Sequence, residues 1–240
     1  MQVTGETTVG EIVAGDFRTA AVFNQFGIDF CCGGKRSVAD ACRDRQVETR
    51  VVVQAIEKAC AEPGTGPRFD EWEPEALIGF IVGNHHGYVR RALPSLVANA
   101  RKIAAVHGSR HPELQEVVQL TETVSAEMSA HMLKEERVLF PYIAELAAAA
   151  REGRSPAPAP FGSVDNPIRM MEDEHQHAGA CMARIRALTG GFTVPDDGCT
   201  TYRVCFQELE AFEADLHAHV HLENNLLFPQ ARALPPPQPS

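Results

Sequence analysis

From about residue 75 to residue 234, apolar side chains recur every three or four positions. Leu114, Val117, Val118, Val124, Met128 and Met132 show the spacing of one face of an α-helix. Four long runs carry this pattern: 75–107, 112–151, 164–188 and 200–234. Their connections are mostly short, which predicts an up-down-up-down four-helix bundle. Pro94 falls inside the first run and is expected to kink or split it. Before residue 62 the pattern is shorter. Thr8 with Glu11 forms a capping-box pair ahead of Val9, Ile12 and Val13. Asp16 is placed to cap a second helix that Gly27 ends, Ser37 with Asp40 opens a third, and 51–60 forms a fourth. No alternating strands with hairpin turns are visible. The expectation is an all-α chain: a small helical domain over 1–62, a linker over 63–74 that the Gly/Pro-rich stretch 62–67 opens, a bundle over 75–234 and a Pro-rich tail over 235–240.

Composition narrows the function classes. With 22 basic and 32 acidic residues the net charge is −10. That argues against nucleic-acid binding, which needs clustered Lys and Arg. No apolar run approaches the ~20 residues of a membrane span, and residues 1–10 lack the features of a signal peptide. Seven cysteines fit a reducing compartment better than a disulfide framework, so the cytoplasm is expected. The oligomeric state stays open, a homodimer included. All ten histidines lie between His85 and His221.

The chemistry sits in a repeat. His131-Met-Leu-Lys-Glu135-Glu-Arg-Val-Leu139-Phe-Pro and His219-Val-His-Leu-Glu223-Asn-Asn-Leu-Leu227-Phe-Pro share H-x3-E-x3-L-F-P, 88 residues apart. Residues four apart share a helix face, so each His/Glu pair points inward with its leucine. Burying imidazole and carboxylate among leucines is expensive unless a metal ion compensates. The alternate helices supply His175, 44 residues before His219, and His86, 45 before His131; His85 is the rival for that place. Four histidines and two glutamates suit two metal ions with both carboxylates and an oxo or hydroxo group bridging. Thiolate-free N/O ligation favours iron or manganese over structural zinc. His107, His111, His177, His217 and His221 are expected at the surface or behind the ligands, and Glu136 is expected as a surface charge. Met128, Met132, Met170 and Met171 read as core packing, and Cys42, Cys60, Cys181, Cys199 and Cys205 as small core residues.

Together with the turn Asp29-Phe30-Cys31-Cys32-Gly33-Gly34 and with Met171-Glu-Asp-Glu-His175, these motifs resemble the family called repair of iron centres. Its members are di-iron proteins of iron–sulfur cluster repair with a hemerythrin-like domain. The resemblance spans the chain from the Cys-Cys-Gly-Gly turn to the Leu-Phe-Pro near residue 229. It implies two non-haem iron ions on the residues matching His86, His131, Glu135, His175, His219 and Glu223. The family's histidine shortly before a Leu-Pro pair selects His86 ahead of Leu93-Pro94, with His85 still the alternative. Oxygen-carrying hemerythrins, with five terminal histidines and an Asp bridge, are less similar.

On the residues alone, Cys31 and Cys32 form either exposed, reactive thiols or a partly buried structural turn. The resemblance implies a thiol role for the pair in receiving iron or a nitrosyl group. It also implies restoration of clusters damaged by nitrosative or oxidative stress, with damaged iron–sulfur proteins as partners and nitric oxide or oxygen as small ligands. The competing reading of the same ligands is an enzyme that reduces nitric oxide at the di-iron centre, or a nitric oxide-binding sensor.

Overall fold

The computed structural model describes residues 3–61 and 67–236. Residues 62–66, where the expected linker 63–74 begins, and the end of the tail, 237–240, lie outside the described residues; 67–74 are described and include a 3₁₀ turn, Phe69–Glu71. Among those described the chain is helical, with one isolated antiparallel bridge between Thr8 and Ser37.

Helix α1 (Val9–Gly15) begins at Thr8, whose hydroxyl accepts from Glu11 N–H while the Glu11 carboxylate accepts from Thr8 N–H. This reciprocal pair satisfies two of the donors a helix start leaves open. Helix α2 (Thr19–Gln25) starts later than its sequence suggested. Asp16 ends α1 and accepts from Arg18 N–H at 3.1 Å, so its carboxylate closes the intervening turn instead of capping α2. Gly27, at φ +65°, closes α2. Ser37 caps α3 (Val38–Asp44), and α4 (Thr49–Ala59) follows.

Next come α5 (Pro74–Phe80), a π-helical turn Ile81–His86 and α6 (Gly87–His107). Helix α7 (Leu114–Lys134), a π turn Glu135–Leu139 and α8 (Phe140–Glu152) form the second long run. Helix α9 (Asp165–Leu188) is the third. Helix α10 (Thr200–Leu222), a π turn Glu223–Leu227 and α11 (Phe228–Ala233) complete the fourth. Pro94 does not split α6, which runs on from Gly87 to His107. The change of winding lies upstream, at 81–86, and apolar packing of Val89, Leu93, Leu96, Ala100 and Ile103 holds the proline-containing stretch in place.

The chain divides into two compact units. One comprises 1–79, 143–164 and 217–240; the other comprises 80–142 and 165–216. In the second, polar contacts tie each helix to its neighbours: Arg101 to Glu122 (α6–α7), Arg184 to Glu116 (α7–α9), Arg186 to Glu213 (α9–α10), and Asn99 to Glu208 (α6–α10). Inside that ring lie Leu96, Ile103, Val117, Val124, Met128, Met171, Met182 and Phe212, all buried. In the first unit, α1 packs on α2 and on the π turn 223–227. Its core includes Ile12, Phe23, Val38, Ile56, Leu227 and Phe228.

Candidate metal centre

Three of the four long runs change to π winding at a sequence-predicted ligand. Glu135 and Glu223 open such turns, and His86 closes one. Single π turns inside α-helices are rare and concentrate where side chains must be re-aimed. The four-residue step from histidine to glutamate still spans one turn: His131 Nε2 stands 3.3 Å from Glu135 Oε2, and His219 Nε2 stands 3.0 Å from Glu223 Oε1.

In the unit of 80–142 and 165–216, four predicted ligands converge. His86, Glu135 and His175 are fully buried and His131 is almost so. Glu135 Oε2 is shared, 3.3 Å from His86 Nε2 and 3.3 Å from His131 Nε2. His175 Nε2 approaches His131 Nε2 to 3.0 Å, and donor atoms of His131, Glu135 and His175 all lie within 4.8 Å of one another. The far nitrogens fix the tautomers. His86 Nδ1 meets Glu136 Oε1 at 2.6 Å, and His131 Nδ1 meets Glu174 Oε2 at 2.9 Å. An ionised carboxylate only accepts, so each Nδ1 donates, and in the neutral imidazole that a metal ion requires each Nε2 turns a lone pair inward. Burial opposes charge on Glu136, but hydrogen bonds from His86 and Arg90 outweigh it and hold the carboxyl below its ordinary range. Glu174 is held low in the same way by Lys134 and His131 against its burial. Lone pairs of two imidazoles thus face a buried carboxylate oxygen, an arrangement that a cation stabilises and that repels without one. This donor set fits a metal ion.

In the other unit, His219 and Glu223 are both fully buried. His221, also buried, approaches the Phe30 carbonyl at 3.4 Å and packs against Phe17 and Phe30. Burial pulls its pKa down to about 4, so it is neutral. Asn225 donates to the carbonyls of Phe30 (3.2 Å) and Cys31 (3.0 Å), tying the Cys-Cys-Gly-Gly turn to the π turn that carries Glu223. Asp29 organises that turn, accepting N–H bonds from Cys31, Cys32 and Gly33 at 2.9–3.0 Å. Cys31 is buried and Cys32 half-buried, with their sulfurs 4.0 Å apart. Asp29, Cys31 and Cys32 present donor atoms within 4.8 Å of one another. The contact with Cys32, reinforced by burial, raises the Cys31 thiol well above the ordinary range.

Several residues stand apart from their sequence expectations. His85 turns to Asp215, Nδ1 to Oδ1 2.9 Å, while His86 faces Glu135. Glu136, expected as a surface charge, orients His86, and Glu174 does the same for His131; neither role was anticipated. Both carboxylates act across helices, 50 and 43 residues from their histidines, so no local spacing reveals them. The one available signal is adjacency in sequence to Glu135 and His175. His107 is buried, whereas His177 is exposed on Glu127. His111 bonds Asp197, and His217 packs its ring against Phe30. Met170 is exposed, since its position on α9 faces outward. Cys42, Cys181 and Cys205 are buried, but Cys60 and Cys199, each flanking a helix end, are exposed.

Known proteins are similar to this chain in sequence. Residues 80–231 match the hemerythrin HHE cation-binding domain, and residues 5–60 match a domain described as of unknown function. The chain is 34% identical over 226 residues to an iron–sulfur cluster repair protein, YtfE, of Musicola paradisiaca, covering 94% of this chain and 96% of that one. Proteins of the same name from Pectobacterium atrosepticum and Escherichia coli are each 31% identical, at the same coverage. With an all-α hemerythrin-type bundle behind a small helical domain, and these relatives aligned along nearly its whole length, the chain belongs to the YtfE family of iron–sulfur cluster repair proteins.

Proposed function

We propose that this chain restores iron–sulfur clusters damaged by nitrosative or oxidative stress, delivering iron held by His86, His131, Glu135, His175, His219 and Glu223. Two non-haem iron ions are assigned to these residues, with Glu135 and Glu223 as bridging carboxylates. The observation that carries this reading is the placement of Glu135 Oε2 at equal distance from two inward-facing imidazole nitrogens. The equivalent His219–Glu223 pair and the repair function named for the relatives support it. Iron here is cargo as well as occupant. Neutral imidazoles and ionised carboxylates hold it without the near-irreversible grip of a thiolate cage.

The protein's own groups do the positioning. Glu136 and Glu174 fix two imidazoles with Nε2 inward, and Arg90 and Lys134 keep those carboxylates ionised. Cys31 and Cys32, beside Asp29, are assigned as the thiols that receive iron or a nitrosyl group in transfer.

Iron analysis and absorption spectra of anaerobically reconstituted protein test the centre. The wild type is expected to hold two iron ions per chain. Glu135→Ala and Glu223→Ala are expected to hold clearly fewer, without the bands of an oxo-bridged pair. Unchanged bands in both variants would refute the bridging assignment. A transfer assay onto a nitrosylated iron–sulfur protein tests delivery: recovery of its cluster by loaded wild type is expected. Equal recovery by a Cys31→Ser/Cys32→Ser variant would remove the thiol step. Multi-turnover nitrous oxide production from nitric oxide, without cluster recovery, would favour the reductase reading instead.

A further inference from the structure

In the unit of 1–79, 143–164 and 217–240, the Cys-Cys-Gly-Gly turn gathers three donor groups of different kinds. Cys31 Sγ stands 3.1 Å from Asp29 Oδ1 and 4.0 Å from Cys32 Sγ, and donor atoms of all three residues lie within 4.8 Å of one another. With metal–donor bonds of roughly 2.0–2.3 Å, two sulfurs on one tetrahedral ion stand about 3.8 Å apart, and a sulfur and a carboxylate oxygen about 3.6 Å. The two measured spacings differ from these by about half an ångström or less.

The backbone holds these groups together before any ion arrives. Cys31 and Cys32 N–H donate to Asp29 Oδ1 and Gly33 N–H to Oδ2, so the carboxylate is kept beside the sulfurs. A Cβ on Gly33 would stand 2.7 Å from the Asp29 carbonyl oxygen, so only glycine lets the chain fold this closely over the aspartate. Behind the turn, Gly10 N–H donates to the Gly34 carbonyl at 2.8 Å and Val9 N–H to that of Arg36 at 2.9 Å, which seats it on the start of α1. Access is from one side. Cys31 is buried, Cys32 half-buried and Asp29 exposed, and three protein donors leave a tetrahedral ion one free position. The Cys31 S–H donates to Asp29 Oδ1, and an ion between the two groups takes the place of that proton.

We propose that Asp29, Cys31 and Cys32 form a separate, mononuclear metal site that binds a divalent transition ion through two thiolates and one carboxylate oxygen. As the ion binds, two metal–sulfur bonds form, two S–H bonds break and both protons pass to the solvent; no electron changes hands. This deepens the thiol step proposed above and rests on that reading for iron(II) as the cargo, adding Asp29 as a ligand. The His/Glu residues offer nitrogen and oxygen alone, whereas this site offers sulfur as well. It therefore suits passage of the ion to an acceptor whose own ligands are cysteines, which would attach at the free position.

Cobalt(II) is the probe, because thiolate ligands give it sulfur-to-metal charge-transfer absorption in the near ultraviolet and His/Glu ligands do not. Full-length protein, reduced and stripped of metal, is titrated with it under anaerobic conditions. A sulfur-to-cobalt band that saturates at one such ion per chain is expected in the wild type. The same band is expected in Glu135→Ala, so a failure of the His/Glu assignment and a failure of this one are read apart. Cys31→Ser/Cys32→Ser should abolish it. Asp29→Asn keeps an oxygen for the N–H groups of the turn but removes the charged donor. Its cobalt affinity, read from the band, should fall by more than about 10-fold, the least that is lost with a partner standing behind a ligand. A wild type without the band, or Asp29→Asn with unchanged affinity, would overturn the proposal. Should Asp29→Asn fold poorly by circular dichroism, the wild-type band and its loss in Cys32→Ser decide.

Discussion

Each imidazole that faces Glu135 from α7 or from the turn before α6 carries a carboxylate on its other nitrogen, and each carboxylate carries a cation. The chains run Glu135–His86–Glu136–Arg90 and Glu135–His131–Glu174–Lys134. A carboxylate behind an imidazole fixes its tautomer and strengthens its lone pair, and losing such a partner lowers metal affinity by roughly 10–100-fold. Glu136→Gln and Glu174→Gln are each expected to weaken iron binding by about that factor in competition with a chelator. Glu127→Gln, which alters an exposed histidine pair of similar geometry, should leave it unchanged. At this scale the sequence revealed the residues that repeat at fixed local spacing. His131, Glu135, His219 and Glu223 were legible because one helical turn brings positions four apart together. Glu136 and Glu174 were hidden because they serve a histidine on a different helix.

Among the elements, the π turns matter most to the site. In an unbroken α-helix, eight residues overshoot two full turns by about 80°. Leu139 and Leu227, each eight beyond a ligand histidine, would then drift off the inward face. Wider winding across 135–139 and 223–227 takes up most of that drift, and both leucines are buried. The inward stripe was therefore legible from apolar positions, whereas the winding that sustains it was not: hydrophobic spacing is too coarse to register one added residue. Short-range capping was easier to read, because it involves neighbours. Thr8→Ala removes the hydroxyl that accepts from Glu11 N–H and should cost about 1 kcal/mol, seen as a lower urea midpoint with an unchanged slope. Asp16 shows where that reading stops. A carboxylate two residues before an N–H closes a turn as readily as it caps a helix, and only the backbone path decides between them.

On the scale of the whole molecule, the −10 charge is the feature from which the sequence argued against nucleic-acid binding. No described helix is long and apolar enough to cross a membrane. Many of the ion pairs between helices are exposed and contribute little individually; the buried apolar stripes hold the bundle, which is why periodicity alone predicted it. What periodicity could not supply is the attachment of the thiol turn. Asn225 fits between Gly10 and Gly34, and a Cβ on Gly34 would stand 2.3 Å from Asn225 Oδ1. Gly34→Ala should therefore dislodge the amide, lowering repair in the transfer assay while the iron content of the purified protein stays near that of the wild type. Retained repair with a displaced turn would argue against a role for the anchor. The fastening itself is made of a side-chain amide, two main-chain carbonyls and the buried His221 imidazole, which burial keeps neutral. None of these groups gains or loses a proton near neutrality, and none is oxidised under conditions that alter a thiol. Cys31 and Cys32 are thus free to change chemical state on a mount that does not change with them, a hinge pin and not a fuse.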